Sequence, residues 1–472
     1  MEHVRCNLPS QRSGVPPKKL PLKRLQSNLA IYLFGGTFLV YALYFAVTML
    51  QPARNYLVGD EVYYVMMSYS LWDDGDLNLE DEFASESYRA FYPQLLTERE
   101  IGAHILRGWR EGMYSKHGVG LPVLIVPAWG LGRQAGVSLW LVILTALLAV
   151  QLFGLMSELV AERSAVWLAW VGLIISPPLV LYAALVYTEV PAALAIVIVL
   201  RHGILRSASM RWYNQWAVLA GLLFLPWLNP RHILFVLPLA MVIGLRGYRR
   251  LAVAAIGGTA LPFTYFWFLL GYVPTLGNYG NVALNRFPIG ALGLWLDAEA
   301  GVLPYGPIYI LAVYGLVRTI RTRNPFWPLW NGLWLPYYLF LSTYDAWSGG
   351  FNPPARMVVP LIPFFSPLVA LALAEMTPRL RYIVAAVLGT SGLIVTSLLL
   401  VQPVLRYNHH LGQSHIFEYL ASQTGIDLNA IWPSFINLEP SSYWQAGLII
   451  VGATIGYGLL FARRGSHSVW NM

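Results

Sequence analysis

Apolar residues in this chain run in long blocks, not in the alternation of half-buried strands or the one-sided stripe of a soluble helix. Twelve blocks fall near residues 28–50, 137–157, 164–183, 190–205, 215–229, 232–245, 251–270, 304–318, 326–343, 357–374, 382–402 and 446–462. A helix of about 20 residues crosses a bilayer core, and lipid admits only helices or closed barrels. The pattern therefore predicts an all-α polytopic membrane protein with about twelve transmembrane helices. Three connections, 51–136, 271–303 and 403–445, are too long for turns, and their aromatic and aliphatic residues argue for order. The chain divides into a basic segment 1–27, a module 28–270 that includes loop 51–136, and a region 271–472 with outer loops 271–303, 344–356 and 403–445. No internal repeat is visible, which weakens an inverted-repeat transporter.

Composition closes off the soluble classes. Hydrophobic residues make up 57% of the 472 and charged ones 11%, with mean hydropathy +0.54. The 18 Trp and 28 Tyr suit a chain with many lipid–water crossings. One cysteine, Cys6, excludes an intrachain disulfide and any site needing two thiolates.

A net charge of +8 invites a nucleic-acid partner, but its distribution argues otherwise. With Lys18, Lys19, Lys23 and Arg24 placed in the cytoplasm, the inner segments hold 20 Lys/Arg and 4 Asp/Glu, the outer ones 11 and 19. Arg246, Arg249, Arg250, Arg318, Arg321, Arg323, Arg379, Arg381, Arg463 and Arg464 then occupy inner turns. That is the positive-inside pattern, with both termini cytoplasmic in a multi-pass plasma (inner) membrane protein. Basic residues spread over seven inner segments form no nucleic-acid face.

The first outer loop opens with Gly59-Asp60-Glu61. Two acids in a helix's first turn are favoured by the macrodipole, so a capped helix start is one reading. The other is functional: Asp60 lies about ten residues past a span, where a lipid headgroup sits, and a carboxylate there can accept a proton or hold a divalent metal. Six acids in the ten residues Asp73–Glu82 suggest calcium, yet Leu79 and Ser85 stand where a calcium loop needs glycine and glutamate. An Asp-Gly turn followed by a solvated acidic stretch is the expectation. Tyr114-Ser115-Lys116-His117-Gly118-Val119-Gly120-Leu121-Pro122 leads into an apolar stretch ending near Gly132, expected as a helix on the membrane surface. Lys116 and His117 would then face phosphate, either of ordinary lipid or of a substrate.

Charges inside apolar surroundings are functional by default. Glu189 is the sole acid or base between Ala165 and Leu200, and Arg231 sits in Asn229-Pro230-Arg231-His232. Either Glu189 or a bound phosphate would partner Arg231, and a structural ion pair is the alternative. Trp347-Ser348-Gly349-Gly350-Phe351-Asn352-Pro353-Pro354-Ala355-Arg356 forms a turn able to aim Arg356 into a headgroup pocket, with lipid anchoring as the bland reading. His409, His410 and His415 do not have the spacing of a helical zinc pair.

The order of these features resembles the GT-C superfamily of membrane glycosyltransferases. It comprises a first span, Gly-Asp-Glu opening a large outer loop, the Tyr-Ser-Lys-His-Gly-Val-Gly-Leu-Pro segment, and an acid in the second outer loop. The stretches 59–81, 297–311 and 347–363 are more narrowly similar to a bacterial GT-C-like group of unassigned substrate. The resemblance implies transfer of a sugar from a polyprenyl-phosphate-linked donor to a glycan, lipid or protein acceptor on the extracytoplasmic face, by inverting displacement. It implies a catalytic role for Asp60, with Glu61 beside it, and for Glu189. Lys116, His117, Arg231 and Arg356 are expected around the donor phosphate. No cofactor is required by the pattern; a divalent metal, if used, is expected at Asp60 and Glu189. A transporter or lipid flippase, with Glu189 and Arg231 as a coupling pair, is the alternative.

Overall fold

The computed structural model describes residues 22–50, 57–206, 210–274, 280–322, 324–407 and 409–461. Lys18, Lys19, Arg323, Arg463 and Arg464 lie outside the described residues. Helix dominates, and a two-stranded ribbon pairing Ile105 with Ser115 and Leu106 with Tyr114 is the one sheet among the described residues.

All twelve apolar blocks carry helix. Among the described residues, six helices are long and apolar enough to cross a membrane: Asn28–Met49, Gly120–Leu159, Arg249–Leu270, Arg356–Ala374, Pro378–Val401 and Pro440–Phe461. Arg163–Ile175 and Pro230–Leu245 are shorter apolar helices. Local chemistry sets several of the breaks. The block 164–183 leaves helix at Ser176, just before Pro177 and Pro178, and the block 190–205 passes from α to π winding at Leu200.

Burial separates inner from outer helices. The most apolar window of Arg356–Ala374 is 100% covered by protein, whereas that of Pro440–Phe461 is 6% covered. Leu448, Ile455 and Leu459 on the latter are exposed, as expected of a lipid-facing rod. Arg356–Ala374 packs against helices Ile310–Arg321, Arg163–Ile175 and Gly120–Leu159. The turn Arg356–Leu361 at its start packs against helix Glu189–Val199.

The stretch expected as a surface helix is helical and forms the first part of Gly120–Leu159, and the chain breaks from helical geometry at Gly132 and Arg133. The helix Asp60–Asp73 is enclosed by protein: Val62, Tyr63, Tyr64, Val65, Met66 and Met67 are each at most 2% exposed. Burying such side chains contributes roughly 1.5–3 kcal/mol each, so loop 51–136 is anchored by its own core. Loops 271–303 and 403–445 are clasped to each other. Asp297 accepts backbone N–H bonds from Phe435 at 2.6 Å and Ile436 at 3.1 Å, and Glu299 accepts from His410 and Gly412 at 2.6 Å each. These two acids, which carried no assignment in the sequence, hold loop 403–445 against loop 271–303.

Candidate active site

Asp60 stands at the first position of its helix, with Gly59 as N-cap at φ 57 and ψ −124. A side chain at residue 59 would be strained, and its Cβ would meet the Phe351 carbonyl oxygen at 3.0 Å. The glycine of Gly-Asp-Glu thus lets the start of the Asp60 helix abut the Trp347–Arg356 turn.

That turn is locked from below. The Tyr182 hydroxyl donates to Asn352 Oδ1 at 3.1 Å and to the Pro353 carbonyl at 2.5 Å, and Ala355 adopts φ 60 just before Arg356. A non-glycine residue in the left-handed region costs about 1–3 kcal/mol and persists where surroundings over-determine it. The result aims Arg356 into the cluster.

Arg356 joins two carboxylates. Its Nη1 lies 2.8 Å from Asp60 Oδ2 and its Nε 2.8 Å from Glu189 Oε1. The same Glu189 oxygen receives Arg231 Nη2 at 2.7 Å. The guanidinium carbon also lies 4.4 Å from the centre of the Tyr187 ring, a cation–π contact. Glu189 is fully buried, at the start of helix Glu189–Val199, while the Asp60 side chain keeps 23% exposure. Of the two acids, then, Asp60 faces the open side and Glu189 holds the arginines from behind.

The other Asp60 oxygen meets two imidazoles. Oδ1 lies 3.9 Å from His104 Nδ1 and 3.8 Å from His117 Nε2, and those two nitrogens are 2.9 Å apart. His104 ends the helix Glu98–His104, begun by a Thr97–Glu100 capping box, and the ribbon then folds Ser115 back over Ile105 to bring His117 beside it. The Tyr63 ring stacks on His104 with centroids 4.2 Å apart. Gly118 follows, where a Cβ would meet the Trp227 carbonyl oxygen at 2.3 Å, so this segment presses against the end of helix Trp212–Leu228.

Electrostatics follow from burial and neighbours. Burial works to raise the Asp60 carboxyl, but Arg356, His117 and His104 outweigh it and hold the group well below the usual carboxylate range. Burial pushes His104 down to about 4 and His117 down to about 3, against the pull of Asp60, so both rings are neutral at pH 7. Lys116 is lowered by burial while the Asp60 charge draws it up, which places its ammonium in the field of this carboxylate. Two acids face three bases here, with the Arg231 Nε buried and without a hydrogen-bond partner.

His117, Arg231, Arg356, Asp60 and Glu189 are therefore brought together by direct contacts, and Lys116 precedes His117 in the chain. Glu61 is not. Its carboxylate accepts from the backbone N–H of Val186 at 2.8 Å and of Val58 at 3.1 Å, and from the Tyr407 hydroxyl at 3.4 Å. Burial raises it to about 7 despite these bonds. It ties its own loop to Val186 and Tyr407 and borders a separate cavity of about 50 Å³ that Thr48 and Arg406 also line. A larger cleft of about 650 Å³ is lined by Ile101, Ile105, Leu106, Arg107 and Tyr272.

The metal-competent set also differs from the expected one. Glu189 is committed to two guanidinium groups, and the partners able to share a cation with Asp60 are His104 and His117, whose ligand atoms all lie within 4.8 Å of one another. His104, Tyr182 and Tyr187 carried no signal in the sequence; each sits in a stretch whose composition reads as ordinary loop or apolar turn.

No family model matches the chain, and no curated protein matches it. Among solved structures the chain is similar to ArnT from Cupriavidus metallidurans bound to undecaprenyl phosphate, at 17% identity and TM-score 0.45, covering 92% of this chain and 72% of that one. It is similar also to the apo state of that protein, at 15% identity and TM-score 0.48, covering 92% and 76%.

Proposed function

We propose that the chain is a membrane glycosyltransferase that moves a sugar from a polyprenyl-phosphate-linked donor to an acceptor on the extracytoplasmic face. The observation that carries the reading is the Arg356 bridge between an accessible Asp60 and a buried Glu189, with Arg231 on the same Glu189 oxygen. A buried guanidinium N–H without an acceptor costs about 1–3 kcal/mol, and a phosphate oxygen would satisfy Arg231 Nε. The motif order that resembles GT-C enzymes supports the same reading.

In this mechanism the acceptor hydroxyl attacks the anomeric carbon in line, and the bond from that carbon to the phosphate oxygen breaks. The electron pair leaves on polyprenyl phosphate, and the hydroxyl proton passes to Asp60. Arg356, Arg231 and Lys116 stabilise the charge that grows on the departing phosphate, where preorganised cations contribute most. Held so low, Asp60 is a weak base in the resting protein. A phosphate that draws Arg356 toward itself loosens the Asp60 pair and raises its basicity as the reaction begins. Glu189 is a positioning residue that fixes both arginines. Two neutral imidazoles and one carboxylate oxygen suit a borderline cation such as zinc, which would supply Lewis acidity beside Asp60.

The test is transfer in vesicles containing purified protein, a polyprenyl-phosphate-linked sugar and candidate acceptors. A new glycosidic bond with inverted configuration supports the reading. Movement of the lipid or a solute across the bilayer without bond formation would establish the transporter or flippase alternative.

A further inference from the structure

The acidic turn after the first outer helix was expected to be solvated, but its last member is not. Glu82 is 1% exposed, and neither of its carboxylate oxygens has a hydrogen-bond partner. A buried acid left so is costly unless something compensates it. Two other acids are grouped with it: Asp74, Asp81 and Glu82 each bring one carboxylate oxygen within 4.8 Å of the others.

We infer that Asp74, Asp81 and Glu82 form a calcium site, with Glu82 as the inner ligand and the exposed side open to water. Calcium takes six to eight oxygens at about 2.3–2.6 Å, so oxygens on opposite sides of one ion are up to about 5 Å apart. Three carboxylates with no nitrogen or sulfur donor select a hard cation over zinc. Asp74 and Asp81 are exposed, which leaves room for the waters that would complete the shell.

The site is not the calcium loop that the alternation Asp74, Asp76, Asn78 imitates. Asp76 Oδ1 accepts the Asn78 N–H at 2.7 Å, and Asn78 Oδ1 accepts the Met113 N–H at 2.8 Å, so those two side chains build the turn. Burial, with Asp81 and Asp74 adding to it, pushes the Glu82 carboxyl up to about 8 when no cation is present. A proton held by Glu82 is thus the rival compensation, and it needs no metal.

The experiment is calorimetric titration of Ca²⁺ into chelator-treated, detergent-solubilised full-length protein, with thermal unfolding followed in parallel. The expected result is saturable binding of one ion per chain and a higher unfolding midpoint with calcium. Binding weakens by roughly tenfold or more in Glu82→Gln and is unchanged in His104→Gln, which lacks no ligand of this site. If Glu82→Gln does not fold, the exposed Asp74→Asn takes its place with the same expectation. Absence of saturable binding in the wild type, or wild-type affinity in the variant that folds, overturns the proposal. Neither outcome depends on glycosyl transfer.

Discussion

Asp60 and Glu189, 129 residues apart in sequence, share one guanidinium: Arg356 reaches each of them at 2.8 Å. The sharing divides their labour. Glu189 has no exposure and can act only through the arginines it holds, whereas Asp60 retains an open side and a second oxygen turned to His104 and His117.

Asp60→Asn keeps shape and hydrogen-bonding capacity but removes the proton acceptor. Transfer should fall by about 10²–10⁴-fold in kcat, as for loss of a general base, with folding intact by thermal unfolding. Wild-type turnover in both Asp60→Asn and Asp60→Ala would remove Asp60 from the chemistry.

Arg356→Ala leaves Glu189 with Arg231 alone and Asp60 without its cation. Breaking a buried pair from one side costs about 3–5 kcal/mol, so a large drop in the unfolding midpoint is expected. Arg356→Lys should recover part of that stability, because charge remains, yet bind donor more weakly, because an ammonium cannot span both carboxylates with a planar fork. Donor KM in the lysine variant equal to wild type would contradict this geometry.

Gly59→Ala places a Cβ 3.0 Å from the Phe351 carbonyl at a backbone φ of 57. The expected loss is about 1–3 kcal/mol, together with reduced activity from displacement of the Trp347–Arg356 turn. Denaturant unfolding and turnover measured on the same sample check both.

Acid should weaken the fold through the histidine pair. Both folded values, about 4 for His104 and about 3 for His117, lie below the ordinary 6.5. The unfolded chain therefore binds more protons between those limits, so their contribution is complete above about pH 6.5 and is lost progressively as pH falls toward 3. The double variant His104→Gln with His117→Gln should flatten the pH dependence of unfolding in that window. An unchanged profile would mean that other groups control it.

The same pair should respond to zinc. Added Zn²⁺ should raise the unfolding midpoint of chelator-treated wild-type protein and leave the double histidine variant unmoved. Equal shifts in both would place any zinc elsewhere.

The sequence made some of this site legible because charge in apolar surroundings is conspicuous. Glu189 and Arg231 stand out against their apolar neighbours, and the glycines and prolines before Arg356 announce a turn. What pairs with what was not legible, since Arg356 reaches Glu189 across 167 residues. Asp60 and Glu61 are adjacent acids with equal claims in sequence, and only the backbone N–H groups of Val58 and Val186 show which of them is taken up structurally. His104 lay hidden in a polar stretch because its meeting with His117 depends on a short ribbon with no hydrophobic period. Helix positions were read well from apolar blocks, and the breaks at Ser176 and Gly132 fall where Pro177-Pro178 and the end of an apolar stretch mark them.

A structure of the protein with a polyprenyl-phosphate analogue bound would locate the donor phosphate. The expected position is between Arg356, Arg231 and Lys116, within salt-bridge reach of the arginines, with the Arg356–Asp60 contact lengthened. A phosphate bound instead beside Arg406 and Thr48, with the Asp60–Arg356–Glu189 bridge unmoved, would contradict it.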